Sequence, residues 1–344
     1  MSEPVSTRPV LLAMNLDHLC QVVADLGFPA YRADQLADWV YRKGVSDPAA
    51  MTNLPRKLAE SFDILTSRVV ARRESRDGTI KLLLEYPDAH RVEAVLIPDS
   101  SRATACLSTQ VGCAFGCEFC ASGMNGLGRN LKNGEILQQL LHLRQAAGRR
   151  ITHVVFMGMG EPLANYQATL HAIRAIIDPR RFALSARNVT VSTIGLPAAI
   201  RKLAKEALPI TLAISLHATN DELRRKLMPA AAKAAKLDHV LDAAEAFYAS
   251  RNREITLEYL LLDGVNDDIA CAEGLIGIAH RLRCNVNLIA YNPVESLPYQ
   301  PSDPKTVHAF LGRLKKRSVN VHLRRSRGAD IAAACGQLRR NASR

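Results

Sequence analysis

The sequence predicts an α/β fold, a partial (β/α)6 barrel that carries a small N-terminal helical domain and a β-hairpin linker. Three observations predict it. Apolar residues recur at helical spacing through residues 15–62, alternate at strand spacing through residues 68–97, and from residue 105 onward form strand-like runs separated by helical ones. With 344 residues and 48% hydrophobic content, the chain can bury one large core and an appendage.

Leu16, Leu19, Val22, Val23 and Leu26 follow an Asn15 cap, and Gly27 is placed to end that helix. A second helix is expected from Ala33 to Lys43. Arg32, Gln35, Trp39 and Tyr41 give it a set that can meet RNA, although a Trp at this spacing is more often core. Strands from Ile80 to Tyr86 and Val92 to Ile97 meet through Pro87-Asp88-Ala89-His90, a hairpin. The barrel strands are Ala105 to Val111, His153 to Met157, Val189 to Thr193, Ile210 to Leu216, Ile255 to Leu262 and Val286 to Tyr291. Helical patterns such as Gly134 to Ala147, Pro197 to Ala207, Leu237 to Ser250 and Ile269 to Leu282 separate them. Parallel neighbours need such crossovers, so six β/α units imply a parallel sheet closing partway into a barrel. A seventh strand, Val319 to Leu323, leads into Arg324 to Arg327 and the last cysteine. The expected divisions are 1–66 (helical accessory domain), 67–98 (hairpin linker), 99–323 (barrel) and 324–344 (C-terminal segment).

Lys and Arg number 45 against 33 Asp and Glu, a formal charge of +12. That balance suits a polyanionic partner, because phosphates release counterions on meeting it. Basic pairs such as Arg149-Arg150 and Arg224-Arg225-Lys226 read as solvated faces, while Arg324 to Arg327 is the best placed for RNA. The basic stretch 339–344 is expected to order only on RNA. No apolar run approaches the roughly 20 residues that span a bilayer, and Val10 to Met14 is too short for an export signal. A cytoplasmic protein without membrane attachment is expected.

Three of the eight cysteines, Cys113, Cys117 and Cys120, form Cys-x3-Cys-x2-Cys directly after the first barrel strand. Three thiolates on one tight loop suit a soft metal centre, and a cubane with three protein ligands keeps one iron open. Structural zinc would need a fourth Cys or His, and none follows at suitable spacing. Gly158-Met159-Gly160-Glu161-Pro162 follows the next strand; its glycines let the backbone approach a ligand, and Glu161 can accept hydrogen bonds from an amino group.

On these residues the chain resembles the radical S-adenosylmethionine enzymes. It is further similar to the RlmN/Cfr group of adenosine methyltransferases through Arg102 to Cys106, Ala213 to Ala218, Asn287-Leu288-Ile289 with Asn292-Pro293, and Ala333 to Leu338. Within the group it lies closer to the RlmN branch. The resemblance implies a 4Fe-4S cluster on Cys113, Cys117 and Cys120, and S-adenosylmethionine held by Gly160, Glu161, Ser192, Ser215, Leu216, His217 and Asn292. It implies that one cofactor molecule methylates Cys335 and a second is cleaved to a radical. Cys106 then resolves the protein–RNA adduct through a Cys106–Cys335 disulfide, and Glu93 acts as proton acceptor.

By pattern alone Glu93 is an alternating strand residue with a surface partner, and His217 a hydrogen-bonded core histidine. The implied partners are 23S rRNA, the tRNA adenosine beside the anticodon, and an electron donor such as flavodoxin or ferredoxin; the implied state is a monomer. Methylation at C2 of the adenosine stands beside C8 methylation, and beside a zinc-stabilised RNA-binding protein. Two departures from the group's usual pattern bear on substrate: Met228-Pro229-Ala230-Ala231-Ala232 replaces Val-Pro-Ile-Asn, and Asp330-Ile331-Ala332 lacks a second acidic residue.

Overall fold

The computed structural model describes residues 8–339, so all but the first residue of the basic stretch 339–344 lies outside the described residues. In α1 (Leu16–Asp25) the Asn15 side chain accepts the His18 amide at 2.7 Å, satisfying a donor that the first turn leaves open. Leu16, Leu19 and Val23 face inward. α2 (Tyr31–Ala37) runs on into a widened turn, Asp38–Lys43, so the helix expected from Ala33 to Lys43 is two differently wound pieces. Trp39 is half-buried under Lys43, whose Nζ lies 3.7 Å from the ring centre. Tyr41 is buried edge-on to Phe182 of the main body, which makes it packing rather than an RNA contact. α3 (Arg56–Ala59) completes this domain.

β1 (Arg68–Glu74), β2 (Ile80–Glu85) and β3 (Arg91–Pro98) are antiparallel neighbours. β3 also pairs antiparallel with β4 (Ala103–Cys106), so the hairpin continues into the main sheet. The strand expected from Ala105 to Val111 divides, with β5 (Gln110–Gly112) leaving to pair with β6 (Leu127–Asn130) in a separate ribbon. Ser108 causes the break: buried between the two halves, it donates its hydroxyl to the Glu93 carbonyl at 2.6 Å and its amide to Gln139 Oε1 at 2.8 Å.

The chain then alternates through α4 (Asn133–Ala147), β7 (His153–Phe156), α5 (Tyr166–Ile177), β8 (Val189–Thr193), α6 (Pro197–Lys205) and β9 (Thr211–Ser215). It continues through α7 (Asp221–Leu227), α8 (Pro229–Ala234), α9 (Leu237–Arg251), β10 (Ile255–Leu261), α10 (Ile269–Arg281), β11 (Cys284–Ala290), α11 (Pro304–Lys316) and β12 (Val321–Arg324). β4 and β7 to β12 pair in parallel and in chain order, and β1 and β12 stand at the two ends of the sheet, leaving the barrel open. The expected six β/α units are β4 and β7 to β11. Val189, Val191, Leu212, Ile214, Leu257 and Tyr259 are fully buried, as strands covered on both faces require. Among the described residues no helix is long and apolar enough to cross a membrane.

α4 is the spine on which the N-terminal domain docks. Buried Gln138 accepts the Thr66 and Ser67 amides at 3.0 and 2.8 Å, and Arg144 donates to the Tyr41 carbonyl at 2.7 Å. Gln138→Leu keeps the shape but strands two buried amides, which should cost about 1–3 kcal/mol in calorimetric unfolding. An unchanged transition would show that those amides do not depend on Gln138.

Candidate functional site

The carboxyl ends of the parallel strands open onto a cleft of about 940 Å³, and Cys113, Cys117 and Cys120 line it from the loop between β5 and β6. The ribbon closes that loop at its neck. Cys113 N donates to Gly126 O at 3.1 Å, and Gly112, at φ +79°, sits so close that a Cβ would stand 2.0 Å from the same oxygen. Beyond the neck, Glu118 N donates to Leu227 O of α7 and Ala121 N to Gly336 O of the C-terminal segment, at 3.0 and 2.8 Å. All three cysteines are free, and burial pushes their thiols up, Cys113 to about 11. Thiols held neutral in this way give up their protons to a metal rather than to water. Three sulfur donors on one roomy cleft fit a cubane with an open iron.

After β7 the backbone turns at Gly160, φ +95°, where a Cβ would meet Gln110 Cβ at 2.5 Å. The turn delivers Glu161 into the cleft wall, 2% exposed. Its carboxylate accepts the Leu163 and Ile194 amides, each at 2.9 Å, yet burial dominates and pushes the carboxyl up to about 7. Ser192 on β8 and Ser215 on β9 bring their hydroxyls within 3.1 Å at the cleft. His217 follows β9 in the left-handed region, φ +53°. Its Nδ1 accepts the Leu260 amide at 3.1 Å and its ring stands edge-on to Phe119, while burial drives its pKa down to about 3. The ring is therefore neutral, and with Nδ1 accepting, Nε2–H is the donor it offers. Leu216 is fully buried, lines neither cleft, and pairs through its amide with Glu258 O at 3.0 Å.

Cys335 lines this cleft and also an adjoining one of about 770 Å³, where it meets Cys106 and Asn292. Cys335 is exposed; Cys106 is buried, which pushes its thiol up to about 12. Arg324 lines both clefts beside them, paired with Glu258 at 3.2 Å, and Arg325 and Arg327 line the second. Every cysteine is free, so a Cys106–Cys335 disulfide is no part of the folded framework, and the two thiols share the lining of the second cleft without it.

Glu93 lines neither cleft. It is 1% exposed rather than a surface strand residue, with Oε1 2.8 Å from Lys81 Nζ and Oε2 accepting the Arg339 amide at 2.9 Å. Lys81 also donates to Ala332 O at 2.8 Å, Ser75 to Asp330 at 2.6 Å, and Gly328 N to Asp77 at 3.0 Å. These bonds clasp the segment bearing Cys335 against β2, β3 and the turn between β1 and β2.

Sequence reading missed Arg224 and Glu258. Arg224 was expected on a solvated basic face and is instead wholly buried. The available signal was its position three and four residues before the apolar Leu227 and Met228. Of the departing stretch, Met228 lines the first cleft and Ala231 packs in the apolar cluster beneath it.

Comparison with known proteins agrees with this geometry. The model of the Radical SAM superfamily matches residues 107–270, and that of the Ribosomal RNA large subunit methyltransferase N-terminal domain matches residues 10–65. The superfamily's cofactors are a 4Fe-4S cluster and S-adenosylmethionine, which the three thiols and the cleft before Glu161 fit. A dual-specificity RNA methyltransferase RlmN of Solidesulfovibrio magneticus is 43% identical over 338 residues, covering 96% of each protein. A probable counterpart from Symbiobacterium thermophilum is 43% identical over 345 residues, covering 98% of this chain and 93% of its own. The crystal structure of a radical SAM methyltransferase from Sphaerobacter thermophilus has a TM-score of 0.93 at 41% identity, covering 97% of this chain and all of that one. Likeness of this degree along nearly the whole sequence makes the chain a member of the RlmN family of radical SAM RNA methyltransferases.

Proposed function

We propose that this enzyme methylates C2 of an adenosine in 23S rRNA, and the tRNA adenosine beside the anticodon, through an S-methylcysteine formed at Cys335. The observation that carries this reading is the position of Cys335, an exposed thiol shared by the cofactor cleft and by the cleft that holds Cys106 and opens at Arg325 and Arg327. The large-subunit rRNA methyltransferase domain matched at residues 10–65, and relatives named dual-specificity, favour this branch over C8 methylation.

An adenine ring carbon is too poor a nucleophile to take a methyl from a sulfonium directly, whereas a thiolate does so readily. Bound in the first cleft, the cluster and S-adenosylmethionine supply a transferable methyl group and, on one-electron reduction, a hydrogen-abstracting radical. Cys113, Cys117 and Cys120 anchor the cluster. Glu161 and the Gly160 main chain take the amino group of the methionine end, while Ser192, Ser215 and neutral His217 orient the nucleoside end, with Asn292 approaching from the adjoining cleft and Leu216 holding the β9 strand end in place beneath them.

Cys335 carries the methyl as a thioether; after hydrogen abstraction that carbon bonds to the adenine, and the unpaired electron left on the adduct would return to the cluster that supplied one. Glu93 accepts the proton leaving the ring once the clasp on the C-terminal segment opens. The sulfur of Cys106 attacks Sγ of Cys335 and breaks its bond to carbon, the proton of the Cys106 thiol passes to that carbon so that a methyl group stays on the RNA, and the two sulfurs are joined until a two-electron reduction separates them. The electrons come from a carrier of the flavodoxin or ferredoxin class, and the enzyme acts as a cytoplasmic monomer.

Cys335→Ala should abolish methyl transfer while iron content and visible absorption remain those of the native protein. RNA methylation by that variant would refute the reading. Cys106→Ala should accumulate a covalent RNA adduct on a denaturing gel, and turnover without one would remove Cys106 from its role.

Glu161 makes a pH-dependent prediction. Its folded carboxyl is raised to about 7 from an ordinary 4.5, so its contribution to stability is complete below about 4.5 and is lost as pH rises through about 7. Gln at this position cannot ionise. In the cofactor-free protein, stability of Glu161→Gln relative to wild type should therefore climb by roughly 2–3 kcal/mol between about pH 5 and pH 8. A difference that stays flat across that range would show that Glu161 is ionised throughout.

A further inference from the structure

We propose that Arg224 is a positioning residue for electrons, a sealed cation behind Cys117 that raises the reduction potential of the cluster held by Cys113, Cys117 and Cys120. The inference rests on the cluster reading of those thiols and asks what a buried positive charge is doing beside them.

Arg224, on α7, has no exposure at all and is the largest side chain so enclosed among the described residues. Burying a guanidinium costs several kcal/mol unless an anion faces it. Among the described residues no carboxylate makes an ion pair with it; Asp221, one turn earlier, turns its Oδ1 to the Leu237 amide at 2.8 Å. Only Nη2 is bonded, donating to Ile194 O at 2.7 Å, while Nε and Nη1 are buried without a hydrogen-bond partner. A guanidinium with two unmet donors, and only the unpaired charge of Asp221 in its neighbourhood, calls for a further anion close by.

Position narrows that anion. Arg224 is not among the side chains that line either cleft. The cluster loop packs against its helix: Glu118 N donates at 3.0 Å to Leu227 O, one turn beyond Arg224. The charges of Cys117 and Arg224 favour one another against the burial that opposes both. Ile194 completes the arrangement, since its carbonyl takes Nη2 while its amide donates to Glu161 Oε2 at 2.9 Å. One strand-end turn thus fixes the cation behind the cluster loop and the cofactor carboxyl in front of it.

When a low-potential donor passes one electron to the cluster, the cluster with its three thiolates gains one negative charge. A cation held in dry protein beside a ligating sulfur stabilises that reduced form more than the oxidised one, and charge and hydrogen bonds at the sulfurs are established determinants of cluster potential.

The test uses the full chain, reconstituted anaerobically with iron and sulfide, and an EPR-monitored potentiometric titration without S-adenosylmethionine or RNA. Iron-replete Arg224→Met should titrate at a more negative midpoint than wild type. Arg224→Lys, which keeps the charge but on a shorter-reaching, more strongly hydrated head group, should fall between them. A wild-type midpoint in iron-replete Arg224→Met overturns the proposal. If that variant fails to fold or to take up iron, Arg224→Lys decides: a lowered midpoint supports the assignment and an unchanged one overturns it. Wild-type protein that binds no iron would instead defeat the cluster reading itself.

Discussion

Parallel strands hydrogen-bonded in chain order must all finish on the same edge, and this constraint assembles the site. Cys106 ends β4, Glu161 follows β7, Ser192 lies on β8, Ser215 ends β9 and Arg324 ends β12. Residues distant in sequence therefore line two adjoining clefts. The antiparallel strands β1 to β3 extend the same sheet on the side of β4, which puts Lys81 and Glu93 where they can hold the segment after β12. The fold thus grips its C-terminal segment, with Cys335, from one end of the sheet and delivers it from the other.

Electrostatics inside the cleft run against ionisation. Burial raises the thiols of Cys113, Cys117, Cys120 and Cys106, raises the Glu161 carboxyl and keeps His217 neutral. In the proposed mechanism each group waits for a partner: metal for the three loop thiols, the sulfur of Cys335 for Cys106, an amino group for Glu161. A site preset as neutral donors and acceptors avoids stranding charges in a dry cleft before its cofactors arrive. Arg224 and Arg324 are the exceptions, fixed cations near sulfur at the back and the mouth of the site.

What could be read in the sequence was local chemistry. The Cys113–Cys117–Cys120 spacing, the glycine turn before Glu161 and the strand–helix alternation each express a short-range rule, and they yielded the fold and the cofactor cleft. Properties set by neighbours remote in the chain were not legible. Ser108 breaks a strand because Glu93 and Gln139 lie beside it, Tyr41 is core because Phe182 comes to meet it, and Glu93 is buried because Arg339 caps it. Arg224 looks like its exposed neighbours Arg225 and Lys226 until the loop packed against α7 is in view.

The proposed chemistry turns on the C-terminal segment, which brings one exposed thiol to both clefts while bonds to Lys81, Glu93, Asp77 and Ser122 restrain it. The most direct test of its role is mass spectrometry of the proteolytic peptide bearing Cys335, after the reconstituted enzyme has been incubated with methyl-labelled S-adenosylmethionine in the absence of RNA. The account predicts label on Cys335 and its transfer to adenosine when RNA is added. Label that reaches RNA while the Cys335 peptide stays unmodified would contradict it.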